Sequence, residues 1–101
     1  MQDTFKHYKL ALNILRDIKD RWEEGRTLHN IGTFYLQQPN GNAVALASFL
    51  LAKEAFEQVQ SPDHDITQTH IEDLCNKYPA LLNTVQGNEN QIVEQALRRG
   101  I

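Results

Sequence analysis

Between Asn42 and Val59 lies the stretch that most narrows what this chain can fold into. Its first turns, Ala43-Val44-Ala45-Leu46-Ala47-Ser48-Phe49-Leu50-Leu51-Ala52, are apolar apart from Ser48. The run is about half the length that spans a bilayer, so it reads as a helix buried in protein rather than lipid. A helix that is apolar on nearly every side has to be covered on more than one face. This stretch therefore predicts an inner helix with neighbours before and after it, and argues for a stack of helices over a simple pair.

The flanks supply those neighbours. Upstream, Phe5, Tyr8, Ala11, Leu12, Leu15 and Ile18 recur at three- and four-residue steps with Lys6, Lys9, Arg16, Asp17 and Lys19 opposite them, the pattern of an amphipathic helix. Asp20 then offers a cap for a second helix, with Glu23 at the spacing of a capping box. That helix, about Arg21 to Gln37, is expected to bury Trp22, Leu28, Ile31, Gly32 and Tyr35. Gly25 and Gly32 inside it cost about 1 kcal/mol each relative to Ala, which is tolerable where a neighbour must come close. Gln38-Pro39-Asn40-Gly41-Asn42 reads as a turn, because proline ends the helix and Asn-Gly supplies positive-φ positions.

Downstream, Ser61-Pro62-Asp63 is a helix start, with Asp63 and Asp65 complementing the N-terminal dipole. The fourth helix, to about Lys77, presents Ile66, Ile71, Leu74, Cys75 and Tyr78, and Tyr78-Pro79 ends it, since the residue before proline is pushed out of the α region. A short helix over Ala80 to Val85, closed by Gly87, precedes a last one capped by Asn88 with Gln91 three residues on. That last helix carries Ile92, Val93, Ala96 and Leu97, with Arg98 and Arg99 at its C-terminal end. The chain reads all-α with five or six helices.

Composition removes several function classes. The 101 residues, 41% hydrophobic and 23% charged, make one soluble domain. The formal charge of −3 comes from an acidic middle, where Lys53 is the only base between Ile31 and Cys75. With no basic face to neutralise a phosphate backbone, nucleic acid is not an expected partner. A single cysteine excludes an internal disulfide and a thiolate metal site. No apolar run is long enough for a membrane span, and polar residues directly after Met1 leave no signal peptide visible, so the expected location is cytoplasmic.

The chain also repeats itself. Thr4-Tyr8-Ala11-Leu12 overlays Ala45-Phe49-Ala52-Lys53 at an offset of 41 residues. Leu28, Ile31, Gly32 and Tyr35 find an echo two residues late in Ile71, Leu74, Cys75 and Tyr78. These strings resemble the tetratricopeptide repeat (TPR), with Leu28, Ile31-Gly32 and Tyr35 matching its first helix and Ala45, Phe49 and Ala52 its second. The stretch Leu10 to Arg21 looks like the end of a preceding repeat in the long-period variant similar to kinesin light chain repeats.

The resemblance implies an α-solenoid of antiparallel helix hairpins. Residues 1–19 would be the second helix of a partial repeat, 20–60 one complete hairpin, 61–78 a degenerate repeat helix and 79–101 a C-terminal cap. It also implies a non-catalytic scaffold that binds a partner peptide or helix in a groove lined by the first helices. Those positions here are Arg26, His29, Asn30, Thr33 and Gln37, and on the fourth helix Thr69, Glu72, Asp73 and Asn76. Asn30 stands out, because an amide pairs with both N–H and C=O of an extended peptide. The opening half-repeat leaves an uncovered face, so the alternative is a segment that dimerises or extends an array through Phe5, Tyr8, Leu12 and Leu15.

Enzyme chemistry finds little support in the residues. His64 and His70 are six apart, and His70 with Asp73 lacks a third ligand, so surface histidines are the better account and no metal is expected. Cys75 with His29 or His70 as base would be a nucleophile pair, but a lone cysteine in an apolar stripe is more often a small core residue. No phosphate loop, paired carboxylates or zinc spacing is present, and no cofactor is expected.

Overall fold

A computed structural model describes the backbone of residues 2–99 and the side chains of residues 6–98. The described chain is all-helical: α1 (Gln2–Asp17), α2 (Arg21–Leu36), α3 (Asn42–Gln58), α4 (His64–Lys77), α5 (Leu81–Val85) and α6 (Glu89–Arg99). α3 is the inner element. It packs against α2, α4, α5 and α6, and Ala45, Leu46, Ala47, Ser48, Phe49, Ala52 and Ala55 along it are entirely buried.

The joint between α2 and α3 explains the two helical glycines. A Cβ on Gly32 would stand 2.6 Å from Phe49 Cε1, and one on Gly25 would stand 2.6 Å from Phe56 Cε1. Each glycine is thus a socket for a ring, two helical turns apart on α2, and the rings are two turns apart on α3. Burying each ring contributes about 1.5–3 kcal/mol, more than the propensity cost of its socket.

The helix ends follow local chemistry. Asp20 caps α2, its carboxylate accepting from the Glu23 amide at 3.2 Å. Only half of the expected capping box forms, since the Glu23 carboxylate turns to Arg26 instead. Asn40 has φ 59, whereas Gly41, the other expected positive-φ position, has φ −91; Lys19 and Gln60 take the same left-handed conformation as Asn40 after α1 and α3. Ser61 accepts from the Asp63 amide at 3.2 Å, one turn ahead of where α4 becomes regular. Asn88 precedes α6, but its side chain donates back to the Thr84 carbonyl at 3.4 Å.

Several expected burials are corrected. Trp22 is 40% exposed, and Glu24 takes its place inside at 3%. Glu24 stands four residues before Leu28 and seven before Ile31, in the buried register, whereas Trp22 lies off that line. The buried carboxylate accepts from Arg16 Nε at 3.0 Å and Arg21 Nη1 at 2.8 Å; a carboxylate so deeply placed needs such partners. Arg21 also donates to Gln58 and Arg16 to Asn90, so one cluster ties α1, α2, α3 and the start of α6. Ile66 and Tyr78, expected on the buried face of α4, are 60% and 46% exposed, while Ile71 and Leu74 are buried.

The last two helices do not lie simply beyond α4. α5 packs on α3 and α4, and α6 runs back across α3 to α1. Its Val93 and Leu97 line a recess with Leu12, Lys9 and Arg16 of α1.

Candidate functional site

Among the described residues, α2 and α4 face each other through polar and aromatic contacts, with α3 beneath them. Trp22 Nε1 donates to Asp63 Oδ2 at 3.1 Å, and His29 Nδ1 lies 3.1 Å from Thr67 Oγ1. Thr67 is fully buried and its hydroxyl donates to the Asp63 carbonyl at 3.3 Å, which leaves His29 Nδ1 as the donor in that pair. The His29 and His70 rings meet edge to face at 5.3 Å, and His70 stacks on Phe49 at 4.8 Å with 6° between the planes. The ring that plugs the Gly32 socket is itself wholly buried, so the floor of the cleft between α2 and α4 is the half-buried His70 lying on it.

Half-burial and the nearby His70 hold the His29 pKa below its ordinary 6.5, burial being the larger cause, with Asp63 acting in the opposite sense. His29 is neutral at physiological pH. Burial alone pushes the Tyr35 phenol, at the far end of α2, up to about 12.

Next to this floor is an open recess of about 170 Å³ bounded by Arg26, His29, Asn30, Phe56, Asp63 and Ile66. It is smaller than the roughly 300–1,000 Å³ of small-molecule sites, so it suits a side chain rather than a whole metabolite. Ile66 forms one wall at 60% exposure, and the Arg26 guanidinium lies 5.1 Å above the Trp22 ring while donating to Glu23 at 3.1 Å.

The sequence candidates divide once placed. Arg26, His29 and Asn30 come together at the recess. Asn30 is exposed, and no hydrogen bond among the described residues engages its amide. Thr33 turns its hydroxyl back to the Asn30 carbonyl at 2.9 Å, so it serves its own helix, and exposed Gln37 ends α2. On α4, Thr69 bonds the Asp65 carbonyl, Glu72 accepts from Gln68 at 3.4 Å and Asp73 pairs with Lys77 at 3.3 Å; these three and Asn76 are all exposed.

Sequence reasoning missed Trp22, Asp63, Ile66 and His70 as members of this region. Trp22 to Asp63 and His29 to His70 are each 41 residues apart, the offset already seen between Tyr8 and Phe49, and applying it to the helices would have paired them. His70 is thus not a surface histidine, and Cys75 is half-buried as a free thiol. No group of three or more potential metal ligands gathers among the described residues.

The self-association residues lie elsewhere. Leu12 is 3% exposed beneath α6, and Tyr8 and Leu15 are half-buried; the Phe5 side chain is outside the described residues. Leu12 is covered because α6 returns to α1, a contact that local periodicity does not announce. The open apolar residues here are instead Leu10 and Ile14 on α1 and Ile18 just after it, the last of these expected inside.

A larger cleft of about 540 Å³ lies where α1, α2 and α3 meet, bordered by Arg16, Arg21 and Glu24. Arg16, Arg21 and Glu24, with Gln58 and Asn90, are engaged there in joining helices, while Lys19 and Glu54 also line the cleft. No helix is long and apolar enough to cross a membrane among the described residues. Protein-family models, curated proteins and solved structures all yield no match to the chain.

Proposed function

We propose that the chain is a non-catalytic protein-interaction module, a TPR-like scaffold that takes a partner peptide along the face shared by α2 and α4. The observation that carries this reading is the recess at Arg26, His29 and Asn30: an apolar floor and wall beside an uncommitted amide, on rigid helices. An amide donates and accepts at once, so it matches the backbone of an extended chain, and the recess beside it holds a side chain. The TPR-like strings on α2 and α3 support a repeat scaffold, and the single unpaired cysteine fits work in the cytoplasm.

Selection of binders from a displayed random-peptide library tests the proposal. Selected peptides should lose at least tenfold in affinity on the Asn30→Ala/Arg26→Ala variant, roughly the worth of one central interface contact. Peptides that bind the variant as well as the parent would show that this face is not the site.

A further inference from the structure

The cleft where α1, α2 and α3 meet carries an unbalanced charge. Arg16, Lys19 and Arg21 line it against Glu24 and Glu54, three formal positive charges to two negative ones. Glu24 is engaged within the protein. Its two oxygens go to two different arginines, Oε2 accepting from Arg16 Nε at 3.0 Å and Oε1 from Arg21 Nη1 at 2.8 Å. One buried carboxylate thus holds two guanidinium groups while its charge neutralises one of them.

The way they are held leaves donors over. A guanidinium has five N–H groups in a fixed fork and grips a carboxylate most strongly with two nitrogens at once. Here each arginine gives Glu24 a single nitrogen. Arg16 Nη2 reaches Asn90 at a long 3.5 Å, and Arg21 Nε reaches Gln58 at 2.6 Å. Arg16 Nη1 and Arg21 Nη2 make no hydrogen bond among the described residues. The two side chains are 33% and 30% exposed, whereas the carboxylate that fixes them is at 4%. They are therefore anchored from within and open to solvent at their outer ends.

The cleft has the size of a ligand site. Its volume of about 540 Å³ falls within the roughly 300–1,000 Å³ of small-molecule pockets. Leu28 and Leu51 give it an apolar lining. Lys19 and Glu54 are exposed, and their side chains join no hydrogen bond or ion pair among the described residues. A ligand that balances this lining carries one negative charge. A dianion overshoots the excess and meets Glu54, and a neutral molecule gains nothing from the three cations. A carboxylate, planar with two acceptor oxygens, suits paired guanidinium N–H groups.

We infer that this cleft binds a small organic monocarboxylate, its anionic group on Arg16, Arg21 and Lys19 and its apolar body against Leu28 and Leu51. Glu24 holds the two arginines in place, and Glu54 sets the site against a second negative charge. The site is separate from the α2–α4 face and stands whether or not a peptide binds there.

Phenylbutyrate is the probe, with phenylbutanol as its neutral counterpart and phenylsuccinate as a dianion. Each is titrated into isotope-labelled protein near neutral pH at low salt, and the amide shifts are followed by NMR. Phenylbutyrate should bind with a dissociation constant on the order of 1 mM and shift amides of α1, α2 and α3 around the cleft. Phenylbutanol should bind about 10–100-fold more weakly, the worth of charge-assisted hydrogen bonds. Lys19→Asn, a residue that tolerates the φ of 60 there, should weaken binding of the acid about 2–5-fold. Glu54→Gln should strengthen it by about the same factor and admit phenylsuccinate, and both effects should shrink as salt rises. Both side chains are exposed and uncommitted, so these variants keep the fold.

Equal shifts from the acid and the alcohol, or affinities that neither variant moves, would overturn the assignment. So would the lack of any saturable shift with phenylbutyrate, or shifts that gather away from the cleft.

Discussion

α2 has two working sides, and they are built in opposite ways. Toward α3, Gly25 and Gly32 let the helix close until Phe56 and Phe49 fill the space where a Cβ would be, and the polar tie from Arg21 to Gln58 across that side lies at the end of the seam. Toward α4, the contacts are a histidine pair, a hydroxyl and an indole N–H on a carboxylate, with open space above. At the two sockets the first side gains its energy from dispersion and burial, so it is intolerant of any change in volume. The second is held by directional contacts, in which only Thr67 is fully buried and Trp22 is exposed.

Breaking the joint should have the largest effect. Phe49→Ala is expected to cost about 3–5 kcal/mol, a large part of the roughly 5–15 kcal/mol available to a domain, while Asn30→Ala on the other side stays within about 0.5 kcal/mol. Urea denaturation of the two variants measures the contrast directly, and equal midpoints would erase the distinction.

A smaller effect sharpens it. Gly32→Ala forces overpacking worth about 1–3 kcal/mol, offset by up to about 1 kcal/mol of helix propensity. Trimming the ring with Phe49→Leu removes two of the three atoms that crowd the new Cβ, Cε1 and Cζ, so the double variant should be less damaged than the sum of the singles by on the order of 1 kcal/mol. Strict additivity would mean that the ring and the glycine do not meet.

The smallest effect belongs to the α4 side. Because the folded chain holds His29 below its ordinary value of 6.5, the unfolded chain takes up that proton first as the pH falls. The stability carried by neutral His29 is complete above that value and declines as the pH drops through it. Denaturation midpoints should therefore fall between pH 7.5 and 5.5, and His29→Asn should flatten the slope in that window.

The α2–α3 joint was partly readable from the chain: the glycines inside a helical stripe and Phe49 on the facing helix announce a close approach, whereas Phe56, which fills the Gly25 socket, lies beyond the repeat-like string and goes unmarked by it. α3 was readable because a helix without a polar face has only one kind of place to be. The cleft was half readable. Arg26, His29 and Asn30 follow from stepping around α2, but their partners come from α4, and only the 41-residue offset joins the two.

Glu24 hid because a charged residue in an apolar stripe looks like an interruption until its arginines are located. The return of α6 to α1 was not legible at all. It is a contact between amphipathic helices far apart in the chain, and periodicity tells which side of each is apolar without telling which two meet.

The constant separation of Trp22 from Asp63 and of His29 from His70 has a consequence for how such a chain can change. A residue inserted within α3 would carry everything after it forward by about 1.5 Å and around by about 100°. His70 would then leave the Phe49 ring, and Asp63 would leave the indole, with no side chain altered. The length of chain between α2 and α4 is thus itself a component of the cleft. Insertions and deletions compatible with it are those that the bends at 37–41 and 59–63 absorb outside the helices.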